Sequence, residues 1–183
     1  MLVGVALKIL EREGQAGFST RAVCSSAGVS APTLYHHFGS SDGLLSAALD
    51  EAFRQFLESK KAAIRSLDGE LALRQGWDDY VRFAAQRPRL YAAMLARVLQ
   101  GATIPAAAHA RAQLMERIEA IAGEDRLAMN AHAAADLAWA SANAAALLYV
   151  TAEVHPPDRA VVESLRDRAL DSICTPRRKA KRP

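Results

Sequence analysis

Cysteine is nearly absent from this sequence: Cys24 and Cys174 stand alone, 150 positions apart. Two distant thiols exclude a disulfide-stapled scaffold, and no Cys or His spacing resembles a zinc site. The sequence shows no signal-peptide pattern and no apolar run long enough to span a bilayer, so the expected setting is a reducing cytoplasm with no membrane partner. Both cysteines are expected to be packed thiols. Aromatic residues make up only 6% of the chain and β-branched runs are scarce, whereas alanine is abundant. Alanine costs least in a helix and packs poorly in a sheet, so the expected fold is all-α. With 51% hydrophobic and 23% charged residues the chain has material for a real core and is not disordered.

Catalytic patterns are missing too. No Ser-His-Asp order, paired carboxylates or glycine-rich phosphate loop stands out. His36 and His37 are adjacent, so on a helix they point in different directions and cannot share one metal. No enzyme activity, cofactor or metal is expected. The net charge of +3 is a weak hint of nucleic acid, because Arg177, Arg178, Lys179, Lys181 and Arg182 carry it. Without those five of the 23 basic residues, 18 remain against 20 acids. Residues 176–183 are expected to be a basic, disordered and solvated tail.

Helical periodicity and punctuation organise the rest. Leu2, Val5, Ala6, Ile9 and Leu10 mark a first helix over 1 to about 13, ended by Gly14. QAGF reads as a connector, and Ser19 caps a second helix to about Ser26. Gly28 suits the left-handed turn after it; Ser30 caps a third helix with Pro32 in its first turn. Ser40 or Ser41 caps a long fourth helix carrying Leu44, Leu45, Ala48, Leu49, Ala52, Phe53, Phe56, Leu57 and Ile64 inward. Further helices are expected over 70–86, from Pro88 to Leu99, over 106–122, over 126–151, and from Pro157 to about Ile173.

Two short helices joined by a glycine turn outline a helix-turn-helix, whose second helix lies in the DNA major groove. The outline alone also occurs in proteins that never meet DNA. Fixed charge argues neither way: across residues 1–45, Lys8, Arg12 and Arg21 balance Glu11, Glu13 and Asp42. On the DNA reading, Tyr35 and His37 donate to phosphates, Thr33 and His36 reach base edges or phosphates, and helix starts after Ser19, Ser30 and Ser40 offer unpaired N–H groups.

The segments ALKILEREG and FSTRAVCSSAGVSAPTLYHHFGSSDGLLSAAL, roughly residues 5–49, resemble the DNA-binding domain of the tetracycline-repressor (TetR) family of transcriptional regulators. AGVS-x-x-TLYHHF carries most of that likeness. The resemblance implies an all-helical homodimer, with a three-helix head over residues 1–47 and a ligand-binding and dimerisation body over 48–175. It implies that Ser19, Thr20, Arg21, Ser30, Ala31, Thr33, Tyr35, His36, His37 and Ser41 face DNA, while Leu34 and Phe38 pack inward. Two features depart from the family pattern. Ser41 and Asp42 stand where a phosphate-gripping lysine is usual, and no basic arm precedes the first helix here. Both imply weaker non-specific binding.

The stretch WDDYVRFAAQRPRLYAAMLARV, 77–98, is similar to one subset of TetR-family bodies that carries FA-x-x-x-P-x-LY-x-x-M. That subset often has Trp, His and Gly further on; here Trp139 is present, but Asn143 and Ala144 replace His-Gly. Trp77, Tyr80, Phe83, Tyr91, Met94, Met115, Ile118 and Trp139, with His132 and Asn143 as polar anchors, are expected to line a pocket for a small, largely apolar effector of unknown identity. Each taken singly equally suits a core. The alanine-rich helix and the last helix, with Val161, Val162, Leu165, Ala169 and Ile173, are expected to form a four-helix dimer interface or to pack within one chain. The function implied is a repressor released from an inverted-repeat operator in double-stranded DNA. The competing reading is a helical protein-interaction module that does not bind DNA.

Overall fold

A computed structural model describes residues 1–64, 68–152 and 155–176, with side chains 60–64 outside that description. The expected contribution of Ile64 and nearly all of the basic tail therefore lie outside the described residues. Among these residues the chain is helical, with no strand. Its helices are α1 (Leu2–Gly17), α2 (Thr20–Ala27), α3 (Ala31–Phe38), α4 (Ser41–Ile64), α5 (Gly69–Gln86), α6 (Pro88–Leu99), α7 (Pro105–Gly123), α8 (Ala131–Val150) and α9 (Arg159–Ile173). They form two compact units: Met1–Lys60 with Phe83–Ala110, and Lys61–Arg82 with Arg111–Pro183.

In the first unit, α1 buries Ala6, Leu7, Ile9 and Leu10 and packs on α2 and α6. The expected end of this helix at Gly14 is instead an internal break: Gly14 has φ 71°, and helical residues resume to Gly17. Helix α6 ties this end down. Arg89 donates to the carbonyl oxygen of Arg12, and Arg87 pairs with Glu11 at 3.4 Å. The apolar side of α4 buries Leu44, Leu45, Ala48, Leu49, Ala52, Phe53 and Leu57. Phe53 and Phe56 stack at 5.6 Å and close over Phe83 at 5.6 and 4.8 Å. The polar side of α4 is tied too. Asp50 Oδ1 accepts the Ala106 N–H at 2.6 Å, which satisfies one of the donors a helix start leaves unpaired.

The second unit is built around alanine. Leu73, Ile118, Ile121, Leu170 and Ile173 pack with Ala134, Ala135 and Ala138. Trp77, Val81 and Val162 pack with Ala142 and Ala145. These small side chains let α8 approach its neighbours closely, α9 among them. Ion pairs line the edge of this core: Arg166 reaches Asp78 and Asp167 at 2.9 Å, and Arg74 reaches Asp167 at 2.6 Å. Hydrogen bonds from Arg166 and then Arg74 hold the Asp167 carboxyl below its ordinary range. Burial lowers the Arg117 guanidinium and raises the Cys174 thiol.

Helix α8 starts at Ala131 rather than at the expected 126. The preceding residues instead form an antiparallel bridge between Leu127 and Cys174. Around it, Ala128 N–H donates to Ile173 O at 2.9 Å and Thr175 N–H to Arg126 O at 2.8 Å. Arg126 also pairs with Glu70, and Asn130 then caps α8 by accepting the Ala133 N–H. By length and composition α8 is the one helix among the described residues able to cross a bilayer, at mean hydropathy 1.2, where the sequence reading found no such run. Alanines contribute much of that average, and Ala134, Ala135, Ala138, Ala142, Ala145 and Ala146 are buried in the second unit.

Ile118 is fully buried in the second unit, so Ile118→Ala should cost about 2–5 kcal/mol. Denaturant unfolding followed by tryptophan fluorescence checks this. The stabilisation from Asp167 is present above the ordinary carboxylate range and is lost as pH falls through its lowered folded value. Asp167→Asn should therefore flatten the acid limb of the stability profile below about pH 4.

Candidate nucleic-acid interface

The local chemistry of residues 19–43 sets two short helices at a fixed angle. Ser19 is extended, and its Oγ accepts the Ala22 N–H at 3.2 Å, which starts α2. Gly28 ends it with φ 66° and ψ 32°, a left-handed geometry that disfavours any residue with a Cβ. The N–H groups of Gly28 and Val29 both turn back to the Cys24 carbonyl. Ser30 then starts α3: its Oγ accepts the Thr33 N–H at 3.4 Å and shares a hydrogen bond with Thr33 Oγ1 at 2.9 Å. Pro32 sits in the first turn, where its missing N–H costs nothing.

Burial separates two sets of side chains. Val23, Cys24 and Leu34 face inward, and Phe38 is half-buried. Ser19, Arg21, Ser30, Ala31, Thr33, Tyr35, His36 and His37 are exposed, while Thr20 and Ser41 are half-buried. Tyr35 keeps 45% of its surface open, and its hydroxyl lies 3.5 Å from Thr20 Oγ1, which links α2 to α3. The rings of His36 and His37 meet edge-on at 5.4 Å. The open side of α3 thus presents hydroxyls and imidazoles within one turn, next to the guanidinium-bearing α2.

Gly39, with φ 71°, closes α3, and Ser40 caps α4 by accepting the Gly43 N–H at 2.9 Å. A Cβ at Gly43 would run into the carbonyl oxygen of Phe38, so the two helices meet without side-chain clearance. The first turn of α4 is clamped from α6. Arg97 donates to Asp42 Oδ2 at 3.1 Å and to Ser46 Oγ at 3.3 Å, with only 14% of its side chain exposed. Asp42, which from sequence looks like an uncompensated acid beside the DNA face, is a structural anchor. Nothing in local sequence pattern marks Arg97 or Arg89 for this work, because both act across distant segments.

The residues expected to line a ligand pocket divide between the two units. Phe83, Tyr91 and Met94 are buried in the first. In the second, Trp77 Nε1 donates to Ser141 Oγ at 2.9 Å, and the Tyr80 hydroxyl donates to Asn143 Oδ1 at 3.0 Å. Ile118 is in the core with Met115 against it. His132 is exposed, and Trp139 leaves 47% of its surface open on α8.

Residues 2–48 match the family model described as bacterial regulatory proteins, tetR family. The HTH-type transcriptional regulatory protein RaaS of Mycobacterium tuberculosis is 43% identical over 61 residues, 32% of this chain and 29% of that protein. The match therefore spans under a third of the curated relative's length. Among solved structures, a Rhodococcus protein of unknown function has a TM-score of 0.75 at 22% identity, over 95% of this chain and 94% of that one. A TetR-family protein from Vibrio parahaemolyticus has a TM-score of 0.68 at 18% identity, over 95% and 97%. The TetR-family transcriptional regulator PfmR of Thermus thermophilus gives 0.66 at 17% identity, over 92% and 96%. These likenesses cover nearly the whole chain and concern the fold, whereas the family model falls on the helices that present the open polar face. The likeness to the tetR family of bacterial regulatory proteins is thus carried by residues 2–48, and over the rest of the chain the likeness is one of fold.

Proposed function

We propose that this protein is a transcriptional regulator that binds an inverted-repeat operator in double-stranded DNA as a homodimer and releases it when a small effector binds. The observation carrying this reading is the outward face of α2 and α3. Its capped helix starts and the side chains of Arg21, Thr33, Tyr35, His36 and His37 are open together. A helix entering the major groove needs this arrangement: donors toward phosphates at the edges, and short polar side chains toward base edges between them. Residues 1–47 act as the reading head. The body over 48–175 carries the effector and dimer functions.

An open apolar stripe supports dimerisation. Trp139 and Leu147 on α8 and Val161 on α9 are large, exposed hydrophobic side chains on two helices that pack together. A second copy related by two-fold symmetry would cover them and pair two heads, which is why the operator should be an inverted repeat. For the effector, Trp77, Tyr80 and Asn143 supply aromatic surface beside hydrogen-bonding groups within the second unit. Release needs the effector to favour the DNA-incompetent arrangement by only a few kcal/mol. In the first unit, the ties from Arg87, Arg89 and Arg97 on one side, and from Asp50 on the other, let a displacement of α6 or α4 carry the head with it.

Enrichment from a random duplex library should return one inverted repeat; recovery of no sequence preference would favour the protein-interaction reading instead. Tyr35→Phe should weaken binding to the enriched duplex by about 1 kcal/mol in an anisotropy titration, with the fold unchanged. Arg21→Ala should reduce the salt slope by about one unit. Trp139→Asp should shift the protein toward monomer in sedimentation and weaken operator binding with it.

A further inference from the structure

Most arginines of the second unit have an acid partner. Arg74 and Arg166 share Asp167, Arg111 pairs with Asp136, Arg126 with Glu70, and Arg82 with Asp79. Arg117 on α7 differs. It is half-buried, and it makes no hydrogen bond or ion pair among the described residues. The acids that act on it through space are Asp79 and Glu116. Asp79 is engaged by Arg82 at 2.6 Å, and Glu116 is exposed to solvent. Burial outweighs both, so the guanidinium is held below its ordinary range. A cation drawn out of water without a hydrogen-bonded anion is unfavourable.

A glycine makes the seat of this cation. Gly76 lies inside α5, where glycine weakens a helix relative to alanine. Its φ is not positive, so the backbone does not require glycine there. Space does: a Cβ at Gly76 would collide with Nη1 of Arg117 and crowd its Cζ. The guanidinium therefore rests on the bare backbone of α5. Tyr80 follows Gly76 by four residues and Leu114 precedes Arg117 by three, so both share the helix faces that form the seat. The Tyr80 hydroxyl is held by Asn143, and Leu114 packs on the core of the unit. A cation beside aromatic and aliphatic surface suits an amphiphilic acid.

We propose that Arg117 anchors a carboxylate in the second unit, and hence that the effector is an organic acid with an apolar remainder. The inference rests on the effector reading above. One guanidinium can donate two parallel N–H bonds to a carboxylate, which fixes the ligand's orientation as well as its charge. A single negative charge balances Arg117. A doubly charged group such as a phosphate would leave charge over, opposed by Asp79 and Glu116. An alcohol of the same length would leave the cation without its anion. A merely space-filling arginine is the competing role, and it differs in what removal of the charge does to the free protein.

The test follows thermal unfolding and tryptophan fluorescence of the full-length protein with octanoate, at constant pH and ionic strength. Octanoate should raise Tm and bind with a Kd of about 1 mM or tighter, whereas octanol and acetate at matched concentration should not. Arg117→Met should weaken octanoate binding at least about tenfold. The same variant without ligand should melt about 2–4 °C higher, because an unpaired cation has been replaced by an apolar chain. Arg117→Lys, which keeps the charge but not the fork, should bind octanoate with intermediate affinity. Octanoate that fails to bind up to about 10 mM overturns the proposal, as does octanol or acetate that binds equally well. A Met variant that keeps wild-type affinity, or that melts below wild type, overturns it too. Octanoate that binds through Arg117 yet leaves the enriched duplex bound overturns the effector-release reading and leaves the Arg117 site standing.

Discussion

The guanidinium of Arg97 governs how α3 is held. It is almost enclosed, yet it reaches Asp42, Ser46 and Gln100 with separate N–H groups. Its Nε is buried without a partner. A buried cation is costly when its anion is removed, because the charge then stays desolvated and uncompensated. The contacts therefore commit α6 to the first turn of α4, and α3 is joined to that turn through Gly39 and Ser40 alone. Helix α3 has one fully buried anchor of its own, Leu34. A helix of eight residues so lightly anchored takes its direction from what it is attached to.

Asp50 does the equivalent work two turns further along α4. Its carboxylate closes the start of α7, where a negative charge also meets the favourable end of the helix dipole. Asp42, Ser46 and Asp50 recur at spacings of four, so they form one polar row along the first half of α4, beside its apolar stripe. Such a helix has a preferred roll as well as a preferred position. That property suits an element proposed to pass a displacement to a reading head.

Much of this was legible in the sequence, where the relevant physics is local. Gly14, Gly28 and Gly39 all take positive φ, and Ser19, Ser30 and Ser40 all accept from the backbone N–H three residues on. Such features need only near neighbours, so composition and spacing carry them. Pro88 to Leu99 was legible for the same reason. Illegible parts depend on distant partners. Residues 126–130 have helix-forming composition, but pairing with Cys174 and Thr175 draws them out of the helix. Asp42 looked like a deficit because its partner is 55 residues away. The pattern of large apolar groups from Trp77 to Trp139 could not reveal which were enclosed, because burial depends on which unit receives each helix and which face it turns inward.

Gly43 gives the joint between α3 and α4 an unusual sensitivity. It lies outside the open polar face, and its own surface is unremarkable, yet the space for a single methyl is already taken by the Phe38 carbonyl. Chemistry at the outer face can thus vary residue by residue without disturbing the scaffold, whereas the smallest enlargement at this elbow would tilt every outward group at once. The chemistry of the outer face and its orientation are encoded in different places.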